Sequence, residues 1–151
     1  MLVRLHTLNR EQLVPTSLEQ TFAFFADPKN LNAITPQWLQ FRILSSPTEL
    51  SQGCLIHYRL RWHGAPLEWI AEIQNWRPPE EFEDVQLRGP YLLWHHRHEF
   101  QPVAGGTLVR DTVQYSLPFG AIGELVNKTM VRKDLERIFD YRVRQIAERL
   151  P

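Results

Sequence analysis

The sequence predicts an α+β protein in which a strongly curved antiparallel sheet of about six to seven strands wraps around one long C-terminal helix. Two short helical segments follow the first strand, and apolar residues then alternate with a period of two through the centre of the chain. From Phe119 to Leu150 the apolar residues recur mostly at helical spacing. Because the inner face of such a sheet must be covered, we expect this last segment, the longest helix, to cover it.

The composition is that of a folded protein with a sizeable core. The chain has 151 residues, of which 43% are hydrophobic and 11% aromatic, and this length predicts a single domain over residues 1–151. A formal net charge of zero gives no electrostatic reason to expect nucleic acid as a partner. The apolar runs are too short for an integral membrane segment. Cys54 is the only cysteine and cannot form an internal disulfide, so we expect a cytoplasmic location.

The two short helices are predicted from capping residues. Thr16 and Glu19 have the spacing of a capping box at the start of the first helix. Asp27 and Pro28 end that helix and begin a second one, with Pro28 at its first helical position.

The long helix carries its charges away from the apolar stripe. Arg132, Arg142 and Asp134 are among these charged residues, and we assign them to a face in contact with solvent. We also expect a bend near Thr129–Val131, where the helical spacing is interrupted.

Two neighbouring strands place ionisable side chains on the inner face of the sheet. Alternation along Leu93–Phe100 separates His95, which we expect to face solvent, from an inward set formed by Trp94, His96, His98 and Phe100. In the next strand Asp111 belongs to the more apolar face. If the two strands form a hairpin, Asp111 lies opposite either His96 or His98, with β-carbons roughly 5 Å apart.

Four interpretations of this inward group are open. It can be a structural ion pair, because a buried aspartate needs a partner, or it can be the polar lining of a cavity for an otherwise apolar ligand. It can also be a catalytic pair in which Asp111 orients His96 as a general base. His96, His98 and Asp111 could bind a metal, but two residues on one face of a strand rarely converge on an ion without more ligands. We therefore predict no metal and no cofactor.

The chain resembles the START-like superfamily, also called SRPBCC, whose members share the helix-grip fold. These members include START lipid-transfer domains, birch-pollen-allergen-like proteins and aromatic polyketide cyclases. The similar segments extend from about Phe24 to Arg142 and read FFADPKNLNAITPQWLQFRI, GPYLLWHHRHEF, GTLVRDTVQYSLPFG and IFDYR. They are most similar to a bacterial subgroup of small cyclase/dehydrase-like ligand-binding proteins.

The resemblance implies a cavity between the sheet and the long helix that holds a small hydrophobic or amphipathic molecule, either lipid-like or polyketide-like. The residues expected to bind this ligand are Tyr58, Trp69, Trp94, His96, His98, Phe100, Asp111, Tyr115, Phe119, Ile122 and Val126.

The alternative function is a polyketide cyclase or dehydrase, an enzyme of the lyase or isomerase type, that uses His96 and Asp111 as a catalytic pair. No defined set of cyclase catalytic residues maps onto this sequence, so a non-catalytic binding protein is the leading hypothesis. We expect it to be a monomer or a weak homodimer.

Overall fold

The computed structural model describes residues 4–151, and its framework is a seven-stranded antiparallel sheet. The strands are β1 (His6–Val14), β2 (Arg42–Ser45), β3 (Leu55–Trp62), β4 (Ala65–Arg77), β5 (Glu81–Arg88), β6 (Leu93–Val103) and β7 (Gly106–Ser116). Their order is β1-β7-β6-β5-β4-β3-β2, which places β1 and β2 at opposite edges. The helices α1 (Leu18–Phe25) and α2 (Pro28–Ala33) and a 3₁₀ turn (Gln37–Leu39) connect these two edges. The predicted fold class is confirmed.

The C-terminal helix has three parts, α3 (Gly120–Val126), a π-helical turn (Asn127–Val131) and α4 (Arg132–Arg149). The π-helical turn occupies the position where the sequence predicts a bend, and a side-chain contact joins it to the sheet. The Tyr115 hydroxyl donates a hydrogen bond of 2.8 Å to Asn127 Oδ1, and both side chains are buried. Within residues 4–151, no helix combines the length and the apolar character needed to cross a membrane.

Ser17 caps α1, so the capping box predicted for Thr16 is wrong. Ser17 Oγ accepts a hydrogen bond of 3.1 Å from the backbone N–H of Gln20, because the helix begins one residue later than predicted. Thr16 instead shares a hydrogen bond of 2.6 Å with the Thr21 hydroxyl. The second cap is confirmed: the Asp27 carboxylate accepts from the backbone N–H of the residue after Pro28, at the start of α2.

The concave face of the sheet carries two apolar clusters joined by the inward histidines. One cluster packs beneath α1 and includes Phe82, and the other packs against α4 and includes Phe139. The His98 ring stacks on Phe82 with centroids 4.4 Å apart. The His96 ring meets Phe139 edge to face at 5.4 Å. The polar group therefore sits between two apolar regions of the core.

Two charged residues of α4 are buried, which corrects their assignment to a solvent-facing surface. Arg142 is 8% exposed and Asp134 is 7% exposed. Arg142 follows Phe139 by three residues and precedes Ile146 by four, and both of those residues are buried. Because residues three and four apart share one helix face, Arg142 lies within the apolar stripe and is carried against the sheet.

Gly106 begins β7 where the backbone approaches β1, and we expect Gly106→Ala to be strongly destabilising. A β-carbon at Gly106 would lie 2.0 Å from the carbonyl oxygen of Val14, and its φ is +145°. The neighbouring Gly105 has φ +90° and open space around the same position. Gly105→Ala should therefore cost about 1 kcal/mol of backbone strain, and Gly106→Ala about 3 kcal/mol or more.

Urea denaturation of both variants measures this difference in the free energy of unfolding. If both variants lost the same free energy of unfolding, the close approach to the Val14 carbonyl would not be what excludes a side chain at position 106.

Candidate functional site

An ionisable cluster lies on the concave face of the sheet where β5, β6 and β7 are neighbours. It is formed by Asp84, His96, His98, Asp111 and Arg142, and we refer to these five residues as the polar cluster. The backbone register places Asp111 opposite His98 and Asp84 opposite His96. Of the two registers left open by the sequence, the structure has the one that pairs Asp111 with His98.

The hydrogen bonds of the polar cluster run diagonally to this register. His96 Nε2 lies 2.8 Å from Asp111 Oδ1, and His98 Nε2 lies 2.6 Å from Asp84 Oδ2. The second nitrogen of each ring lies near the other carboxylate. His96 Nδ1 is 3.5 Å from Asp84 Oδ2, and His98 Nδ1 is 3.4 Å from Asp111 Oδ1. The two rings stack with centroids 3.7 Å apart. Each histidine therefore contacts both carboxylates.

Arg142 brings a permanent positive charge to the polar cluster from α4. Its Nη2 lies 3.9 Å from Asp111 Oδ1, and its guanidinium lies over the rings of Phe25 and Phe139, at 5.4 Å and 5.9 Å from their centroids. A planar guanidinium can stack on aromatic rings and pair with a carboxylate at the same time. Arg142 thus links the helix to the charge on the sheet.

Neighbouring charges determine the protonation states in the polar cluster. Desolvation by burial opposes the ionisation of Asp111, but Arg142 and the two histidines outweigh it and hold the pKa of Asp111 well below its usual range. Burial also opposes ionisation of Asp84, and His96 and His98 again lower its pKa. Both carboxylates are therefore ionised at neutral pH.

The pKa values of the two histidines shift in opposite directions. Burial lowers the pKa of His96, and the charge of His98 lowers it further. Burial also acts against a charged His98, but its contacts with Asp111 and Asp84 outweigh that effect and raise the pKa of His98. His98, whose two nitrogens lie 2.6 Å from Asp84 and 3.4 Å from Asp111, is therefore the histidine better placed to carry a proton, and Arg142 adds a second positive partner for the carboxylates.

A cavity of about 470 Å³ separates part of the sheet from the C-terminal helix. The predicted ligand-binding residues that line it are Tyr58, Trp69, Trp94, His96, His98, Phe119, Ile122 and Val126. Phe119 and Ile122 are 80% and 70% exposed, so they lie at the edge of the cavity. Most of the remaining lining is aliphatic or aromatic.

Three predicted residues lie outside the cavity lining. Phe100 packs against Phe22 and Phe25, with centroids 5.2 Å away in each pair. Asp111 supports His96 without lining the cavity itself, and the Tyr115 hydroxyl is bonded to the π-helical turn.

Asp84, Tyr91 and Arg142 are three of the cavity-lining residues that the predicted ligand-binding set does not contain. The sequence raises Asp84 as possible polar lining, because alternation along β5 puts it on the same face as the buried Phe82, but the residue pattern of this strand leaves its inward face ambiguous. The burial of Arg142 is indicated by its position three residues after Phe139, on the same face of the helix. Tyr91 lies in the segment between β5 and β6, where no periodicity indicates a direction.

A second polar contact closes one side of the cavity. Trp62 Nε1 donates a hydrogen bond of 2.7 Å to Asp134 Oδ2, and His63 Nε2 lies 2.8 Å from the same oxygen. This contact, which we name the hairpin clasp, ties the β3–β4 hairpin to α4. Since Trp62 and Asp134 both line the cavity, the clasp forms part of its wall.

Asp84, His96 and His98 are also the residues best placed to hold a metal ion. They offer three ligand atoms within 4.8 Å of one another. These atoms already pair with carboxylates or imidazoles in the cluster, and a divalent cation would add two positive charges close to Arg142. The donor set therefore fits a balanced ionic network better than a metal centre.

The comparisons with known proteins agree with this architecture. Residues 14–140 match the model of a family described as polyketide cyclase / dehydrase and lipid transport. No curated protein matches the sequence. A protein from Thermus thermophilus superposes with a TM-score of 0.77 at 17% identity, covering 96% of this chain and 97% of that one.

Two further solved structures show the same fold. A Chromobacterium violaceum protein has a TM-score of 0.74 at 13% identity and covers 96% of this chain and 97% of its own. Ginseng major latex-like protein 151 from Panax ginseng has a TM-score of 0.71 at 12% identity, covering 97% of this chain and 98% of that one. At these identities the similarity establishes the fold alone.

We expect Asp111→Asn to lower the free energy of unfolding by about 3 kcal/mol at neutral pH, because it removes the carboxylate that pairs with the buried Arg142. The pKa of Asp111 is lower in the folded protein than its unfolded value of about 3.9. Its contribution to stability is therefore complete above about pH 4 and is lost as the pH falls through the folded pKa.

Chemical denaturation between pH 3 and pH 6 tests this prediction. The stability difference between the natural protein and Asp111→Asn should be constant above pH 4 and shrink below it. Asp140→Asn is the matched control, since Asp140 is on the same helix as Arg142 and its side chain is 57% exposed. It should change stability by less than about 0.5 kcal/mol. A difference that grows towards pH 3 would contradict the assigned charge state.

Proposed function

The chain belongs to the polyketide cyclase/dehydrase and lipid transport family, and we propose that it binds one small hydrophobic or amphipathic molecule, lipid-like or polyketide-like, between the sheet and the C-terminal helix. The observation that carries this proposal is the cavity of about 470 Å³, which is within the range of small-molecule sites. A wall that is mainly apolar, with a small number of ionisable groups, is typical of a site that binds by burial and orients by a few polar contacts.

The aromatic part of the wall supports a ligand with flat or extended apolar surface. Tyr58 stacks on Trp69 with centroids 5.6 Å apart and an interplanar angle of 18°. Trp94 meets Trp69 edge to face at 5.2 Å, and Tyr91 lies 4.9 Å from Trp94. These rings are held by one another and need little ordering when a ligand binds, which favours affinity.

The environment of His96 supports binding rather than turnover. His96 is 4% exposed, the His98 ring covers one of its faces at 3.7 Å, and both of its nitrogens face carboxylates. A general base must come within hydrogen-bond reach of the proton that it removes. In this arrangement the carboxylates occupy the positions that a substrate proton would need.

A catalytic function is the second candidate. The distance of 2.8 Å between His96 Nε2 and Asp111 Oδ1 is that of a general base oriented by a carboxylate. A cyclase or dehydrase of the lyase or isomerase type would use His96 as the base and Asp111 to orient it.

The cellular context is also part of the proposal. A single cysteine and a formal net charge of zero support a cytoplasmic protein without a nucleic-acid partner. We infer that it acts as a monomer or a weak homodimer.

Native mass spectrometry of the protein purified from its own host tests the binding proposal. We expect a bound molecule with a mass of a few hundred daltons that leaves on denaturation. Leu60→Trp should abolish this adduct, because Leu60 lines the cavity from β3 and a larger side chain would fill it.

Leu55→Trp is the matched control, since Leu55 is on the same strand and is 48% exposed on its outer face. Its adduct should be unchanged. An equal adduct in Leu60→Trp and Leu55→Trp would place the ligand outside the cavity.

The identified ligand then distinguishes binding from catalysis. If the protein only binds, the ligand is recovered unchanged, and His96→Gln alters affinity alone. Conversion of the ligand by the natural protein, slowed at least about 100-fold in a folded His96→Gln variant, would establish the enzymatic function instead.

A further inference from the structure

We infer that the ligand is an uncharged molecule with a hydroxyl group, and that Asp84 accepts a hydrogen bond from this hydroxyl. The inference rests on the proposed function and adds the chemical class of the ligand. Asp84 was not among the residues that the sequence predicted to bind, so its place in the cavity is a finding of the structure.

One oxygen of Asp84 is free to accept. Oδ2 is hydrogen bonded to His98 Nε2 at 2.6 Å and lies 3.5 Å from His96 Nδ1. Among residues 4–151, no backbone or side-chain donor forms a hydrogen bond with Oδ1 of Asp84. A carboxylate accepts through both oxygens, so half of the accepting capacity of Asp84 remains unused.

Asp84 is also the most accessible carboxylate of the polar cluster. Its side chain is 20% exposed, whereas those of His96, His98 and Asp111 are 5%, 5% and 8% exposed. Asp84 lines the cavity and Asp111 does not. The accessible part of the polar cluster is thus a hydrogen-bond acceptor on a wall made mostly of apolar groups.

An ionised carboxylate on a mostly apolar wall favours a ligand that donates a hydrogen bond to it. An apolar ligand would displace water from the carboxylate and leave it without a donor, which costs free energy. A ligand hydroxyl supplies the missing donor. It can also accept a hydrogen bond, and Tyr58 and Tyr91 present phenols to the same cavity.

The charge of the polar cluster determines which kind of donor fits. The two carboxylates already have positive partners: Arg142 lies 3.9 Å from Asp111, and His98 lies 2.6 Å from Asp84. An uncharged donor preserves this balance. An ammonium group would add a buried positive charge beside Arg142 and His98, which already pair with these carboxylates, so a cation is disfavoured.

Three probes with one carbon skeleton test the inference by isothermal titration calorimetry at pH 7. They are 2-naphthalenemethanol, its methyl ether, which lacks the donor, and 2-naphthylmethylamine, which is a cation at this pH. The alcohol should bind at least about tenfold more tightly than either of the others.

Asp84→Asn identifies the acceptor. His98 Nε2 lies 2.6 Å from the carboxylate of Asp84 and donates to it, so in the variant the asparagine carbonyl should turn to His98 and its amide N–H₂ should face the cavity. The preference for the alcohol over the ether should then fall below about threefold. Asp140→Asn, an exposed carboxylate on α4, should keep the full preference.

Each outcome has one meaning. Equal affinity for the alcohol and the ether in the natural protein, or a tighter ammonium, would overturn the hydroxyl inference and leave the proposed function standing. An undiminished preference in Asp84→Asn would show that Asp84 is not the acceptor and would also overturn it. Failure of all three probes to bind, together with the absence of an adduct in the mass spectrum, would reject the proposed function itself. Because the first comparison uses the natural protein, it stays decisive even if Asp84→Asn does not fold.

Discussion

The balance of charge within the polar cluster is the constraint on which the sheet, the helix and the cavity depend. Asp84 and Asp111 come from β5 and β7, and neither carboxylate can be buried without positive partners. The histidines of β6 lie between these strands and contact both carboxylates, but burial and the neighbouring His98 lower the pKa of His96. Arg142 of α4 supplies a further positive charge, 3.9 Å from Asp111. The position of α4 is therefore coupled to the electrostatics of the sheet.

This coupling explains how a cavity persists in a protein core, where interiors are normally close-packed. The helix is attached to the sheet at the hairpin clasp through Asp134 and at the polar cluster through Arg142. These two residues lie about 12 Å apart along the helix axis, from the rise of 1.5 Å per residue. Between the attachments the aromatic rings of β3, β4 and β6 pack on one another. Space therefore remains between the sheet and the helix.

The polar cluster contains the same residue types as a catalytic site, and their accessibility separates the two functions. His96 and Asp111 have the geometry of an oriented base, but their side chains are 5% and 8% exposed, and His96 Nε2 is hydrogen bonded to Asp111 Oδ1. Asp84 lines the cavity, and one of its oxygens has no hydrogen-bond donor among the described residues. The group that a ligand can reach is thus an acceptor whose charge is already balanced. This arrangement favours recognition and orientation of a bound molecule over proton transfer to it.

Much of the architecture follows from the order of residues alone. A period of two along β3, β4, β6 and β7 and a helical period after Phe119 are local consequences of backbone geometry, so they can be read from the sequence. The same alternation puts His96, His98 and Asp111 on one face. The diagonal pairing of these side chains, the inward turn of Asp84 and the burial of Arg142 could not be derived in the same way. They arise because a buried carboxylate selects its partner from whichever strand or helix the fold brings within reach, and that choice depends on three-dimensional distance rather than on spacing along the chain.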